Sequence, residues 1–350
     1  MVASQEYEEY WKITLEYTDI NDKRWIGTLK IIKDFIDENA GKNYSRKLYV
    51  ALQKKVNDKF PKADMASVRK SINQFVKLGF VNPHLQSYHP DTVRYLEAKT
   101  NRRRQTIFSR VVYENSSFNS SVTNDSKKGH IEFLIKTLEE VEKLCPDDII
   151  ALMRVNIDDY HEGYLTRVEL ERVKIETKEI KFDERKYNQK SHFRSILSRL
   201  DDLKFQDNCL YFEEDARRLF PEVLEGRDNY LQSTYRSLLK EESVEKLGEA
   251  RCMVQDLPFP SLVASHIKPW RKCSKEEAYD PDNGLLLSQD LDEMFDKGYI
   301  TFDEPGKIIL SEKLKPRIKD KLKDFQVNKL FLNKKRIEYL AYHREHVFKK

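Results

Sequence analysis

The sequence lacks features that mark several special classes of protein. No apolar run approaches the roughly 20 residues that a helix needs to cross a bilayer. The N-terminal stretch MVASQEYEEYWK has no basic-then-apolar signal pattern. The four cysteines lie far apart without a CxxC pair, which argues against a disulfide framework and against a four-cysteine zinc site. We therefore expect a cytoplasmic protein with no membrane partner.

Aromatic and charged residues are plentiful. The 350 residues include 18 Phe, 18 Tyr and 3 Trp, and 35% of all residues are charged. This many aromatics argues against a disordered chain, and this much charge argues against a membrane protein. The length suffices for two or three domains.

Charge is distributed unevenly along the chain. Residues 42–110 carry 16 basic and four acidic side chains, a net charge of +12, within a chain whose net charge is +4. Clustered Lys and Arg attract a polyanion by releasing its counterions, so double-stranded DNA is the leading partner. A basic face that only keeps the protein soluble is the alternative.

The N-terminal 125 residues have the pattern of a helical DNA-binding domain. Residues 5–40 are predicted to be helical, and a second helix spans Ser45 to Phe60. Asp64 caps a third helix that ends at Gly79, and an extended segment follows. This order is typical of a winged helix-turn-helix, and a plain helical hairpin is the alternative.

Polar residues on and after the third helix are the predicted DNA contacts. Their types are those that bind phosphates and base edges in a major groove. On the helix they are Arg69, Lys70, Asn73 and Gln74. Three adjacent arginines cannot all pack inward, so Arg102, Arg103 and Arg104 are predicted to contact phosphates.

A Ser- and Asn-rich stretch over residues 113–129 predicts a linker, with a middle domain over residues 130–222. There we predict a helix from His130 to Lys143 and another from His192 to Leu203. A strand at Cys209–Phe212 and a helix over Glu213–Phe220 follow. This is either a second winged-helix-like unit or a scaffold. The third predicted domain spans residues 226–350.

Residues 251–311 combine groups suited to phosphodiester hydrolysis. A strand ends at His266, a loop carries Asn283, a second strand follows, and a helix then bears Asp292. A neutral imidazole can deprotonate the attacking water, and a carboxylate can hold a hard divalent cation that neutralises developing charge. The Asn can orient the His through backbone hydrogen bonds.

The segment RCMVQDLPFPSLVASHIKPW…DPDNGLLLSQDLDEMFDKGYITFD resembles the HNH (His-Me finger, ββα-metal) endonucleases. The helix before it, with Gln232 and Tyr235, and the C-terminal stretch RIEYLAYHREHVFK are also similar to that family. The resemblance covers residues 226–349. It implies that His266 is the general base, Asn283 the middle Asn of the motif, and Asp292 a metal ligand.

Two positions depart from the family pattern. Ser265 stands where many HNH enzymes have a metal-binding Asp, and Asp292 stands in place of a His. Asp296, one helical turn further, is either a second metal ligand or a structural cap before Gly298. Water and the scissile phosphate could otherwise fill the metal shell.

The predicted fold class is mainly α with α+β parts. Helical, winged-helix-like DNA-binding regions precede a C-terminal ββα-metal nuclease domain. The predicted function is that of a Mg²⁺- or Mn²⁺-dependent type II restriction endonuclease, and a homodimer is compatible with the sequence. The alternatives are a DNA-binding regulator with an inactive HNH scaffold, and a nonspecific defence nuclease.

Overall fold

Most of the chain is α-helical in the computed structural model, which describes residues 11–180, 182, 187–213 and 228–350. The chain divides into two compact units, residues 1–221 and 222–350. The described residues also form three two-stranded antiparallel sheets. The mainly α fold class with α+β parts is therefore confirmed. No described helix is both long and apolar enough to span a membrane.

The first unit consists of helices and one short hairpin in its described part. Its helices are α1 (Lys23–Glu38), α2 (Arg46–Lys59), α3 (Met65–Lys77), α4 (Asp91–Glu97), α5 (Asn101–Asn115), α6 (His130–Val141), α7 (Pro146–Leu152), α8 (Arg167–Glu179) and α9 (Tyr187–Leu197). The hairpin pairs β1 (Leu203–Gln206) with β2 (Cys209–Phe212).

Residues 11–22, predicted to be helical, precede α1 as non-helical chain. Trp11, Ile13, Leu15 and Tyr17 are buried, whereas the residues between them are more exposed. Burial at every second position is the period of an extended segment, so the helical prediction is wrong here. The alternation in WKITLEYT was the sequence signal for this conformation.

Helices α2 and α3 begin where their caps predict. The Ser45 side chain accepts a hydrogen bond from the Leu48 N–H, and the Asp64 side chain accepts one from the Ser67 N–H. The extended segment predicted after Gly79 is reduced to an isolated bridge between Val81 and Tyr88. Residues 42–115, all described, contain no strand pair, so the predicted wing is absent from them.

The stretch predicted as a linker is packed in the first unit. Phe118 is fully buried, and its ring lies 5.5 Å from both His130 on α6 and Phe193 on α9. Trp11 joins this cluster 4.8 Å from His130. The predicted boundary at residues 125–130 therefore lies within one compact unit.

Cys145 and Cys209 form a disulfide, contrary to the expectation from cysteine spacing. The neighbouring residues Leu144 and Leu210 exchange backbone hydrogen bonds of 3.0 and 2.8 Å, which brings the two cysteines together. The pair is 64 residues apart in sequence, so spacing alone gave no signal. The helix predicted over Glu213–Phe220 lies, after its first residue, outside the described residues.

The second unit combines two antiparallel strand pairs with helices. Its strands are β3 (Leu262–His266), β4 (Gly284–Ser288), β5 (Ile300–Phe302) and β6 (Ile308–Leu310). Its helices are α10 (Asn229–Leu247), α11 (Lys275–Ala278), α12 (Gln289–Asp296), α13 (Pro316–Leu322) and α14 (Lys334–His346). Strand β3 pairs with β4, as the predicted order of strand, loop and strand implies, and β5 pairs with β6.

Candidate active site

The β3–β4 hairpin brings the predicted catalytic residues His266 and Asn283 together at one end of the strand pair. In its antiparallel register, His266 lies opposite Gly284 and Ser265 lies opposite Leu285. The fully buried β4 anchors this pair, because its run of leucines has both faces covered. The Ile267 N–H donates to the Asn283 carbonyl at 3.0 Å and extends the ladder just beyond the strand.

The His266 ring is held on two sides. Its Nε2 lies 2.8 Å from the carbonyl oxygen of Ala278. Because a carbonyl can only accept, this contact assigns the proton to Nε2 and leaves Nδ1 unprotonated in the neutral ring. The Tyr235 ring of α10 stacks on the imidazole, with centroids 4.5 Å apart and 13° between the planes.

Gly284 makes room for this stack. A Cβ at position 284 would lie 2.3 Å from the Tyr235 hydroxyl oxygen, closer than atoms can approach. The hydroxyl occupies that space and donates to the Asn283 carbonyl at 3.1 Å. The glycine after Asn283 thus leaves room for Tyr235 of α10, and the Tyr235 ring in turn supports the His266 ring.

Asn283 is fully buried and ties together the connection between the two strands. Its Oδ1 accepts the Lys268 N–H at 2.7 Å. Its Nδ2 donates to the Glu277 carbonyl at 3.0 Å and contacts Cys273 Sγ at 3.3 Å. These bonds fix both the segment after His266 and the turn that presents the Ala278 carbonyl, so Asn283 positions the imidazole through the backbone.

Asp292 lies on α12 beside the Ser265 side chain. Burial raises the pKa of the Asp292 carboxyl, and the nearby Ser265 hydroxyl opposes that rise. Ser265 is 2% exposed, and its Oγ forms no full hydrogen bond within the described chain. Side chains alternate along a strand, so Ser265 and His266 face opposite sides.

A divalent cation fits the Asp292–Ser265 pair. The carboxylate is half-buried, and no described cation forms an ion pair with it, so bound positive charge would relieve its desolvation. The described residues contain no group of three or more His, Cys, Asp or Glu side chains that could hold a metal ion. Two oxygen donors suit Mg²⁺, which usually retains several waters and binds substrate phosphate.

Asp296 is exposed at the C-terminal end of α12, one turn beyond Asp292. Gly298 follows with a φ of 72°, and a Cβ there would lie 2.2 Å from the Val347 carbonyl oxygen. The helix therefore ends where the sequence predicts. Metal binding by Asp296 stays a prediction.

The predicted DNA-contacting residues of α3 separate into two pairs. Arg69 and Lys70 are exposed. Gln74 is fully buried, and its Oε1 accepts the N–H groups of Glu16 and Tyr17, both at 3.0 Å. Asn73 Oδ1 accepts the Val122 N–H at 2.8 Å. The base-reading prediction is therefore wrong for Gln74, and Asn73 uses its acceptor within the fold.

The three adjacent arginines begin α5 and are engaged within the first unit. Arg102 forms a 2.9 Å ion pair with the buried Asp201. Arg104 donates to the Ala98 carbonyl at 2.6 Å and to Asn101 at 3.1 Å. Arg103 is half-buried. Arg102 keeps 48% of its side chain exposed, and phosphate contact by these three arginines stays a prediction.

Residues 252–303 match the family model HNH_2, described as HNH endonuclease. The matched segment contains the β3–β4 hairpin, α12 and β5, so the C-terminal HNH domain predicted by resemblance is confirmed. The match supports nuclease activity on DNA. No curated protein matches the chain in a sequence search.

Three exposed cations in the segment between His266 and Asn283 were not singled out from the sequence. Arg271, Lys272 and Lys275 are exposed, and the first two belong to a 3-10 turn at Trp270–Lys272. The run KPWRKCSK, immediately after the predicted base, was the available signal.

Proposed function

We propose that this protein is a metal-dependent endonuclease that hydrolyses phosphodiester bonds of double-stranded DNA. The observation that carries the proposal is the contact between His266 Nε2 and the Ala278 carbonyl at 2.8 Å. A general base must offer an unprotonated nitrogen, and this contact supports Nδ1 in that role. The HNH match over residues 252–303 supports the same reaction class.

In the proposed reaction, His266 Nδ1 takes a proton from the water that attacks phosphorus. The Ala278 carbonyl accepts from the Nε2–H and stabilises the imidazolium that forms, while the Tyr235 ring keeps the imidazole plane fixed. Asn283 holds the surrounding backbone, so the base needs little reorganisation during proton transfer.

Asp292 and Ser265 would hold a Mg²⁺ or Mn²⁺ ion on the other side of the strand. When bound, such an ion supplies positive charge that stabilises the oxygen leaving phosphorus. In-line displacement places the attacking water and the leaving oxygen on opposite sides of phosphorus. The base and the ion would therefore act on opposite sides of the same phosphate.

We further propose that the protein is a type II restriction endonuclease in which the first unit contributes DNA affinity. The net charge of +12 over residues 42–110 supports DNA binding by that unit. The exposed Arg69 and Lys70 on α3 are the side chains that we assign to the contact.

A nonspecific defence nuclease is the second candidate function. The internal hydrogen bonds of Asn73 and Gln74 favour it, because they occupy the two amides best suited to reading adenine. Sequencing the ends of digested plasmid DNA distinguishes the two functions. A single repeated end sequence supports restriction, whereas scattered ends support nonspecific degradation.

The proposal is tested first by His266→Ala. We expect plasmid cleavage to fall by about 10²–10⁴-fold, because the general base is lost. DNA binding should stay within a few-fold of the unmodified protein, and the melting temperature should be preserved. His346→Ala, at an exposed histidine of the same unit, is the control and should cleave normally. A His266 variant that retains more than about a tenth of the rate would exclude the base assignment.

The metal ligand is tested by Asp292→Asn, which keeps the side-chain size and removes the charge. We expect the Mg²⁺ concentration for half-maximal cleavage to rise at least about tenfold, because a carboxylate oxygen binds hard cations more strongly than an amide does. Asp290→Asn, at an exposed position in the first turn of the same helix, is the matched control. An unchanged Mg²⁺ requirement in the Asp292 variant would remove this residue from the metal shell.

A further inference from the structure

We propose that Arg271, Lys272 and Lys275 form a phosphate-binding cluster, here called the loop cluster. It would hold the DNA backbone next to the bond that is cut at His266. The inference rests on the proposed endonuclease function and adds a substrate-positioning surface to it. Three observations carry it: the pairing state of these cations, the rigidity of the segment that bears them, and their proximity to the base.

The loop cluster differs from neighbouring cations in its pairing. Lys268 contacts both carboxylate oxygens of Glu277 at 2.7 and 2.8 Å, and Lys335 contacts Asp280 at 2.5 Å. The three cluster side chains are exposed, and within the part of the chain that the structure describes none of them forms an ion pair or a side-chain hydrogen bond. Their charge is thus available to an anion from outside the protein.

The backbone under the loop cluster is well fixed. The Trp270–Lys272 turn is closed by a 2.8 Å bond from the Lys272 N–H to the Pro269 carbonyl. Helix α11 follows at once, and it begins with a capping box between Ser274 and Glu277. A fixed backbone lowers the entropy lost when the side chains bind.

The loop cluster begins directly beside the base. The Trp270 ring lies 5.9 Å from the His266 ring, and Arg271 is the next residue. Asn283 Nδ2, which bonds to the Glu277 carbonyl, connects the segment to the other strand of the hairpin. A DNA strand whose phosphate reaches His266 therefore has neighbouring phosphates within the region where these cations lie.

Phosphate is the anion that best fits the loop cluster. An arginine can bind a phosphate with two parallel hydrogen bonds, and lysines add point charges that tolerate a flexible backbone. Glu276, which directly follows the last cluster position, accepts a 2.8 Å hydrogen bond from the Ser274 hydroxyl. We assign to the cluster affinity and positioning, and no choice of base sequence.

The test compares two triple variants of the full chain. One removes the cluster charges (Arg271→Gln, Lys272→Gln, Lys275→Gln). The other removes one Arg and two Lys from exposed positions at the start of α13 (Lys313→Gln, Lys315→Gln, Arg317→Gln). Binding to a DNA duplex is measured by fluorescence anisotropy at several salt concentrations in the His266→Ala background. Cleavage is measured with His266 intact.

For the cluster variant we expect the slope of log affinity against log salt to fall by about 2–3, since each phosphate contact contributes about 0.9. Its KM should rise at least about tenfold with kcat little changed, as expected for lost substrate binding. The α13 variant should change the slope by less than about half as much. Equal effects of the two variants, or an unchanged slope in the cluster variant, would overturn the inference.

Failure of the two proposals is distinguishable. If the unmodified protein cuts no DNA with Mg²⁺ or Mn²⁺, the proposed function fails, and the binding measurement still decides whether the loop cluster contacts phosphates. If the unmodified protein cuts DNA and the cluster variant matches it in KM and salt slope, the proposed function stands and the loop cluster fails.

Discussion

His343 is a buried, neutral histidine through which the stability of the second unit can depend on pH. It is 1% exposed, and its ring stacks on Phe295 with centroids 3.8 Å apart. Its nitrogens lie 2.9 Å from the Thr301 hydroxyl and 3.2 Å from the Phe295 carbonyl. Burial lowers the pKa of His343 to about 4. The histidine therefore packs on the helix that carries Asp292 and folds in its neutral form.

We predict that His343 makes the second unit sensitive to acid. Its pKa is lower in the folded than in the unfolded chain, so between about pH 6.5 and pH 4 the unfolded chain binds more protons. The free energy of unfolding should therefore decrease through that window as the pH falls, by at most about 3 kcal/mol from this residue. Urea unfolding at pH 7, 6, 5 and 4 measures the loss.

The controls for this prediction are His343→Asn and His346→Asn. The first variant lacks the buried titrating group, so its stability should depend less on pH between 7 and 4. The second changes an exposed histidine on the same helix and should retain the full dependence. An equal pH dependence in His343→Asn and the unmodified protein would contradict the prediction.

Individual site residues were predictable from the sequence to different degrees. His266, Asn283 and Asp292 stand at positions fixed by strand, loop and helix order, and the structure gathers those elements into one hairpin and helix. Gln74 was misassigned because a polar residue beside an apolar helical stripe can bond to its own chain, here the extended segment at Glu16. The composition of one helix does not reveal a partner 58 residues away.

At the scale of elements, prediction succeeded where the signal was local. Capped helices such as α2 and α3 and the strands flanking the Asn-Gly loop appear as expected, because caps, glycines and apolar periods act within a few residues. The expected wing after Gly79 did not form. A strand needs a partner, and that information lies outside the strand itself.

Helix α14 supports the site through a buried contact whose partners its sequence pattern does not identify. Its Arg336 is fully buried and forms a bidentate ion pair with Glu242 of α10 at 2.8 and 3.2 Å. The same guanidinium donates to the Pro281 carbonyl at 2.9 Å, two residues before Asn283. The pair holds the pKa of Glu242 at about 2. One arginine thereby joins α10, α14 and the turn that precedes Asn283.

At the scale of the whole molecule, the two units have different proposed roles. The second unit contains the HNH match and the hairpin with His266, Asn283 and Asp292. The first contains the block with 16 basic and four acidic side chains over residues 42–110. Part of that charge serves the fold: Lys77 is buried and donates to the Lys12 carbonyl, and burial lowers its pKa to about 8. Other cations of the block, such as Arg69 and Lys70, are exposed.

We predict that the exposed cations of α3 add DNA affinity without base preference. The variant Arg69→Gln, Lys70→Gln should lower the slope of log affinity against log salt by about 1–2 and weaken all duplex sequences alike, since Asn73 and Gln74 bond within the fold. Anisotropy titrations on duplexes of several sequences measure both effects. The control Lys143→Gln, Arg172→Gln removes the same charge from exposed positions outside residues 42–110. If both variants changed the slope equally, the positive charge would attract DNA only through its overall electrostatic field, and α3 would not be a contact surface.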